Sequence, residues 1–231
     1  MNLYKIFTSL SCMVVFTVSV QAQIVKSFAP VYADIKKVIS DNQSDNHYPK
    51  LLKRFLEMDS TLTEEQYYVI YYGQCLQDNY NPLSKGNESI QKLAQKVTAE
   101  NYTDFKTAYL KTKDQYPLDL RSLQNAYILA YKFQDDAFVR KLQVPLIGLI
   151  KVIASSGDGK SPDQGFHIMN ESDEYVFCNL LNLHILEKSQ VGEFDFIQLS
   201  KNERFGKIIY FINRPQLSNK SPVILEEFVD D

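Results

Sequence analysis

The spacing of apolar residues changes once along this chain, and that change constrains the fold more than any other feature. From Pro30 to about Ala154, apolar side chains recur every three or four residues, the period of one face of an α-helix. After Pro162 they alternate every second residue in several short stretches, the period of a half-buried strand. Helices first and strands last, joined by short connections, predict an α+β fold, mostly α.

Within the helical part, Pro30 suits a first helical turn, and Tyr48 to Met58 places Leu51, Leu52, Phe55 and Leu56 on one face. In DSTLTEEQYYVIYYG, Thr63 is a helix cap with Gln66 reaching back to it, and Leu62 can staple onto Tyr67. Gly73 lies inside that pattern and marks close packing rather than a stop. Helices are expected over Glu88 to Val97 and Tyr102 to Asp114, then in LDLRSLQNAYILAYKF, where Leu120, Leu123, Tyr127 and Ala130 form one stripe. The antiparallel partner is AFVRKLQVPLIGLIKVIA, with a kink expected at Pro145. Recurrence at about 34 residues predicts a tetratricopeptide-like helical-hairpin array of about three pairs over residues 23–156.

Residues 157–231 read as a small α+β subdomain packed on the array, an antiparallel sheet with one helix. Strands are expected at Phe166 to Met169, His184 to Val191, Phe194 to Leu199 and Lys207 to Asn213. The helix is Ser172 to Leu183, with Tyr175, Val176, Leu180 and Leu183 inward. Gly192-Glu193 and Ser200 to Gly206 supply turns, and the tail SPVILEEFVDD is too short to assign.

The N-terminus fixes an expected compartment. Lys5 precedes an apolar stretch from Leu10 to Val20, and Val20-Gln21-Ala22 is a small-residue cleavage pattern. Residues 1–22 therefore read as a signal peptide, with export to the periplasm or the outside. The stretch is shorter than the roughly 20 apolar residues of a membrane anchor. Cys12, the one residue open to lipid attachment, belongs to the removed peptide. No membrane span is expected after cleavage. A formal charge of −3 without a basic run leaves no footprint for nucleic acid. Cys75 and Cys178 each sit in an apolar helical pattern, which favours buried thiols over a bridge closing a loop of about 100 residues.

The stretch ASSGDGKSP, Ala154 to Pro162, matches a permissive phosphate-loop spacing through Ala154, Gly159, Lys160 and Ser161. A phosphate loop joins a strand to a helix, so that backbone N–H groups and the helix terminus face the phosphates. Here a long helix precedes the loop and a strand follows it, which excludes a nucleotide. A helix stop at Gly157 in the left-handed conformation and a turn at Asp158-Gly159 account for the glycines, with the loop as a hinge. Calcium held by Asp158, Ser161 and Asp163 lacks ligand density and has Lys160 among the acids.

The block SSGDGKSPDQGFHIMNESDEYVFCNLLNL resembles the signature of an uncharacterised family of exported bacterial proteins, domain of unknown function 4919. MDSTLTEEQYYVIYYGQCLQDNYNP and YPLDLRSLQNAYILAY resemble two further blocks of that family. The positions that match are Gly157, Asp158, Gly159, Lys160, Ser161, Asp173, Glu174 and Tyr175. The resemblance implies export, an association with gut Bacteroidota and a shared architecture. It implies no activity and no catalytic residue. Pro145 departs from the unbroken helix expected in the family.

Other constellations have structural explanations. Tyr67, Tyr68, Tyr71 and Tyr72 on one helix read as core before they read as a sugar or peptide groove. His167, Cys178 and His184 lack the paired spacing of a zinc site. Asp173 and Glu174 begin a helix, where acids favour the positive end of the dipole. Ser161 and His167 lack a nucleophile elbow. No cofactor or metal is expected. The reading is a non-enzymatic binding or scaffold module whose helical-repeat surface holds a protein, peptide or glycan. The alternative is a small hydrolase or lyase at the Gly157-Ser161 loop, with Asp158, Lys160, Asp173 and Glu174 converging on one hollow.

Overall fold

The computed structural model of the chain describes residues 29–81, 84–191 and 194–213. The proposed cleavage site, the Gly192-Glu193 turn and the SPVILEEFVDD tail lie outside them. The described residues form eight α-helices and four strands, the expected α+β, mostly α class. The helices are α1 (Tyr32–Ser40), α2 (Tyr48–Leu56), α3 (Glu64–Gly73), α4 (Glu88–Ala94), α5 (Tyr102–Thr112), α6 (Leu120–Lys132), α7 (Asp136–Ser155) and α8 (Glu171–Leu180). The strands are β1 (Phe166–Ile168), β2 (Ile185–Val191), β3 (Phe194–Asn202) and β4 (Gly206–Asn213).

Local chemistry sets the helix starts. At α3 the Gln66 N–H donates to Thr63 Oγ1 and the Thr63 N–H donates to Gln66 Oε1, both at 3.2 Å, the reciprocal cap read from the sequence. Asp119 caps α6 and Asp135 caps α7 through their side chains. Pro30, expected in a first turn, lies just outside α1 instead. The cap there is Val31, whose N–H donates to the Tyr68 hydroxyl at 3.0 Å. Helix α7 runs through the buried Pro145 without interruption.

Helix α3 is central because it is apolar on every side. Ile70, Tyr71 and Tyr72 are fully buried, and α1, α2 and α7 pack around them. Two glycines allow the close approach. A Cβ on Gly73 would lie 3.1 Å from the Tyr48 ring, and one on Gly148 of α7 would lie 2.6 Å from the Tyr67 ring. Helix α6 packs on α4, α5, α7 and α8. Because α3 meets α7, four helices later, the helices close into a cluster instead of contacting sequence neighbours alone.

The four strands form one sheet in the order β1-β4-β3-β2. Strands β2, β3 and β4 are antiparallel, as expected. Strand β1 pairs parallel to β4, Phe166 opposite Phe211, so the sheet is mixed where a wholly antiparallel one was expected. The reason is connectivity: helix α8 and strands β2 and β3 lie between β1 and β4, which leaves β4 free to run alongside β1. Helix α8 packs against β1, and the rings of Phe166, Phe177 and Phe211 meet at centroid distances of 4.8 to 5.9 Å. One buried apolar cluster runs from Ile35 in α1 to Phe211 in β4. Cys75 and Cys178 are buried free thiols within it.

Candidate functional site

The glycine loop is fastened to the sheet by its own backbone. The N–H groups of Asp158 and Gly159 both donate to the Gln164 carbonyl, at 2.9 and 2.8 Å, and the Gly159 carbonyl accepts the Tyr210 N–H at 3.0 Å. The His167 N–H donates to Ser156 Oγ at 2.8 Å. A 3-10 turn, Pro162–Gln164, and then β1 follow, so no helix N-terminus faces the loop. The N–H groups that a phosphate would need are already directed at a carbonyl.

The left-handed residue is Gly159, at φ +71°, and not Gly157 as expected from the helix-stop reading. Gly157 is required for a different reason. A Cβ there would stand 2.4 Å from the carbonyl oxygens of both Gln164 and Gly165, and backbone cannot yield. A Cβ on Gly159 would stand 2.3 Å from the Phe166 ring. Asp158 and Lys160 are exposed on the outside of the turn, and Ser161 is half-buried. Among the described residues no group of three or more His, Cys, Asp or Glu side chains is placed to hold a metal ion. That includes the set His167, Cys178 and His184.

Asp173 and Glu174 are fully buried, which a helix-dipole role alone does not require. The Tyr71 hydroxyl donates to Asp173 Oδ2 at 2.7 Å and accepts the Met169 N–H at 3.1 Å. The Asn170 N–H donates to the same carboxylate oxygen at 3.3 Å. Burial pushes the Asp173 carboxyl up to about 7, against the pull of these hydrogen bonds. The adjacent Tyr72 hydroxyl donates to the His167 carbonyl at 3.1 Å, and Tyr80 donates to the Met169 carbonyl at 2.6 Å. Tyr67, Tyr71 and Tyr72 of the stripe are core, as read from their spacing, with the Tyr71 and Tyr72 hydroxyls directed at the segment from β1 to α8, while Tyr68 is half-buried beside Val31.

Glu174 faces two residues that the sequence reading missed, Lys188 of β2 and Asp195 of β3. The Lys188 ammonium lies 3.0 Å from Glu174, 3.2 Å from Asp195 and 2.7 Å from Glu171. Neither Glu174 oxygen, nor Asp195 Oδ1, receives a hydrogen bond. Burial, and then the neighbouring Asp195 carboxylate, push Glu174 up to about 9. Glu174 therefore holds its proton at neutral pH and can donate it to Asp195, which satisfies both groups. Burial pulls the Lys188 pKa down, but its three acidic neighbours outweigh this and raise it. The half-buried Tyr175 ring receives Lys188 at 5.8 Å and Arg121 of α6 at 5.9 Å. A signal for Asp195 existed: in FDFIQL it alternates with Ile197 and Leu199, so period two places it on the apolar face.

The loop candidates and the α8 acids therefore do not share a hollow. The open polar feature lies on the other side of the α8 N-terminus. There Gln77, Asn79 and Tyr80 beyond α3, Tyr116 before α6, and Asn170 and Ser172 at α8 line a cleft of about 170 Å³. A single water needs roughly 10–15 Å³ on this measure, so the cleft admits a ligand. Asp173 supports its wall through Asn170, and Tyr80 does so through Met169. A larger hollow of about 320 Å³ beside α5 is bordered by Lys106, Lys113 and Lys141, of which Lys106 is bonded to Asp135 and Lys113 to Asp114 and the Leu56 carbonyl.

A closed helical cluster with a small mixed sheet, and a polar cleft where the segment after α3, the start of α6 and the start of α8 meet, defines an α+β domain, mostly α. The family model described as Domain of unknown function (DUF4919) matches residues 33–221, and the chain belongs to that family. No curated protein and no solved structure matches it.

Two measurements check this geometry. Gly157→Val should destabilise by about 2 kcal/mol or more through its backbone clash, whereas Lys160→Ala should stay within about 0.5 kcal/mol. Thermal melts with and without ATP and Mg²⁺ compare them, and an ATP-dependent rise lost in Lys160→Ala would reinstate the phosphate loop. The second measurement is pH dependence. A carboxyl raised by folding favours the fold below its unfolded pKa, and that contribution is lost as pH rises through the folded value. Urea midpoints should fall between about pH 5 and 9. Glu174→Gln should flatten the upper part of that fall, and an unchanged slope would contradict the protonated Glu174.

Proposed function

We propose that this is an exported, non-enzymatic binding or scaffold module that acts in the periplasm or outside the cell. It holds a peptide, protein or glycan on the surface of its tetratricopeptide-like helical part. The observation that carries the reading is the polar cleft at the junction of α3, α6 and α8, together with what surrounds it. A hydrolase or lyase at the glycine loop needs Asp158, Lys160, Asp173 and Glu174 around one space. Asp158 and Lys160 are instead exposed on the turn, and both α8 acids are fully buried in contacts that support the fold. Clefts of modest size with amide, hydroxyl and aromatic linings are suited to holding a ligand.

Export is supported by the basic residue, apolar stretch and small-residue pattern of residues 1–22. Among the described residues, no helix is long and apolar enough to cross a membrane.

N-terminal sequencing of the protein recovered from its native host should begin at Gln23, and recovery of Met1 would contradict export. Thermal-shift titration against peptide pools and soluble glycans should reveal a ligand whose binding is lost in Ser172→Phe, which fills the cleft from α8, at an unchanged melting temperature. Binding that survives Ser172→Phe would place the ligand elsewhere.

A further inference from the structure

The cleft beside α8 carries a chemical preference in its lining. Among the described residues that line it, none is Lys, Arg or His, and Asp119 is the one ionisable carboxylate. That carboxylate is already committed. Asp119 Oδ1 accepts the Ser122 N–H at 3.0 Å, and Oδ2 accepts the Asn87 N–H at 2.7 Å and the Ser122 hydroxyl at 2.5 Å. An anionic ligand finds no cation here, and a cationic ligand finds no free carboxylate.

What remains is amide, phenol and the hydroxyls of Ser84 and Ser172. Gln74 and Gln77 donate their Nε2 groups to the carbonyls of Tyr71 and Gly73, at 2.9 and 3.0 Å, which fixes the two side chains and leaves each Oε1 as an acceptor. Asn79 and Gln115 are exposed, and among the described residues neither side chain makes a hydrogen bond within the protein. Each offers a donor and an acceptor side by side. Tyr116 is 40% exposed at the rim, and Tyr80 is anchored through its hydroxyl with its ring against the cleft.

Paired donors and acceptors match adjacent hydroxyl groups, each of which donates and accepts in turn. An aromatic ring offers a flat apolar face for the C–H side of a sugar. A peptide main chain would be better served by an open strand edge, and the cleft has none, since helices and loops line it.

Resting on the binding-module reading above, we propose that this cleft is a binding site for an uncharged oligosaccharide. Asn79 and Gln115 read its hydroxyls, Gln74 and Gln77 supply fixed acceptors, and Tyr80 and Tyr116 receive a sugar ring. Asp173, through the Asn170 N–H, is a positioning residue for the wall.

The test is calorimetric titration of the full chain with neutral hexasaccharides of gluco, manno, galacto and xylo configuration, with a sulfated and a uronate hexasaccharide, and with a neutral hexapeptide library. At least one neutral saccharide should bind more tightly than both charged ones. Asn79→Ala combined with Gln115→Ala should weaken it by about tenfold or more, since two hydrogen bonds of ordinary strength are lost. Both positions are exposed, so the melting temperature should not move, and Tyr116→Ala supplies an independent loss of binding. Tighter binding of a charged saccharide, or a neutral one indifferent to all three substitutions, overturns the proposal. Binding of peptides alone, lost in the same variants, overturns the saccharide while the module reading stands. If no probe binds, the saccharide proposal falls and the module reading is confined to a protein partner.

Discussion

The hydrogen bond between the Tyr71 hydroxyl and Asp173 is the interaction on which the arrangement of this protein depends. It joins α3 to the first turn of α8, across 102 residues of sequence. Neither group tolerates burial alone, because an unpaired polar atom in the core costs more than the bond returns. Each therefore fixes the other. The same hydroxyl takes the Met169 N–H, and its neighbour Tyr72 takes up the His167 carbonyl, so the short strand β1 is held by α3 on one side and by β4 on the other. The glycine loop, the cleft wall and the start of α8 all derive their positions from that segment.

Helix α8 consequently buries both the acids of its first turn, Asp173 and Glu174, and the apolar Val176, Phe177 and Cys178 that follow. Asp173 turns toward α3, and Glu174, one residue on, turns toward the sheet, where Lys188 and Asp195 meet it. One cation between two buried carboxyls, Glu174 and Asp195, leaves one negative charge in excess that a low-dielectric site cannot hold, while Glu171 is exposed to solvent. A proton resolves it. The two buried acids thus differ in their partners and share a cause, since burial raises both.

Much of the fold was legible because it follows from period and capping. The Thr63–Gln66 cap, the stripe of Leu120, Leu123, Tyr127 and Ala130, of which Tyr127 is half-buried and the rest buried, the close approach at Gly73 and the alternation in the last strands are local signals that the structure carries. The parallel pairing of β1 was not legible, since a three-residue strand records nothing of which neighbour it will take. Gly157 was legible as a glycine position but for the wrong reason: its constraint comes from carbonyls seven and eight residues ahead, which no dihedral preference reveals. The role of Asp173 was hidden because its partner is a tyrosine in a stripe that reads as apolar. Lys188 was hidden because a lone lysine in a strand of mixed polarity has no distinguishing pattern. The cleft gathers short amide-rich stretches from three separate turns, and only the closed fold brings them together.

The strand order has a consequence for how the molecule is made. Strand β4 lies between β1 and β3, and it also supplies the Tyr210 N–H that fastens Gly159. It is the last of the described elements to emerge from the ribosome. Until it arrives, β1 has no strand partner, the aromatic cluster of Phe166 and Phe177 lacks Phe211, and the glycine loop lacks one of its clasps. The helices can gather early through local contacts, whereas the sheet can close only once β4 has been made. Without β4 the fold is an incomplete assembly, in which β1 and β3 each lack a partner and the rings of Phe166 and Phe177 lack Phe211.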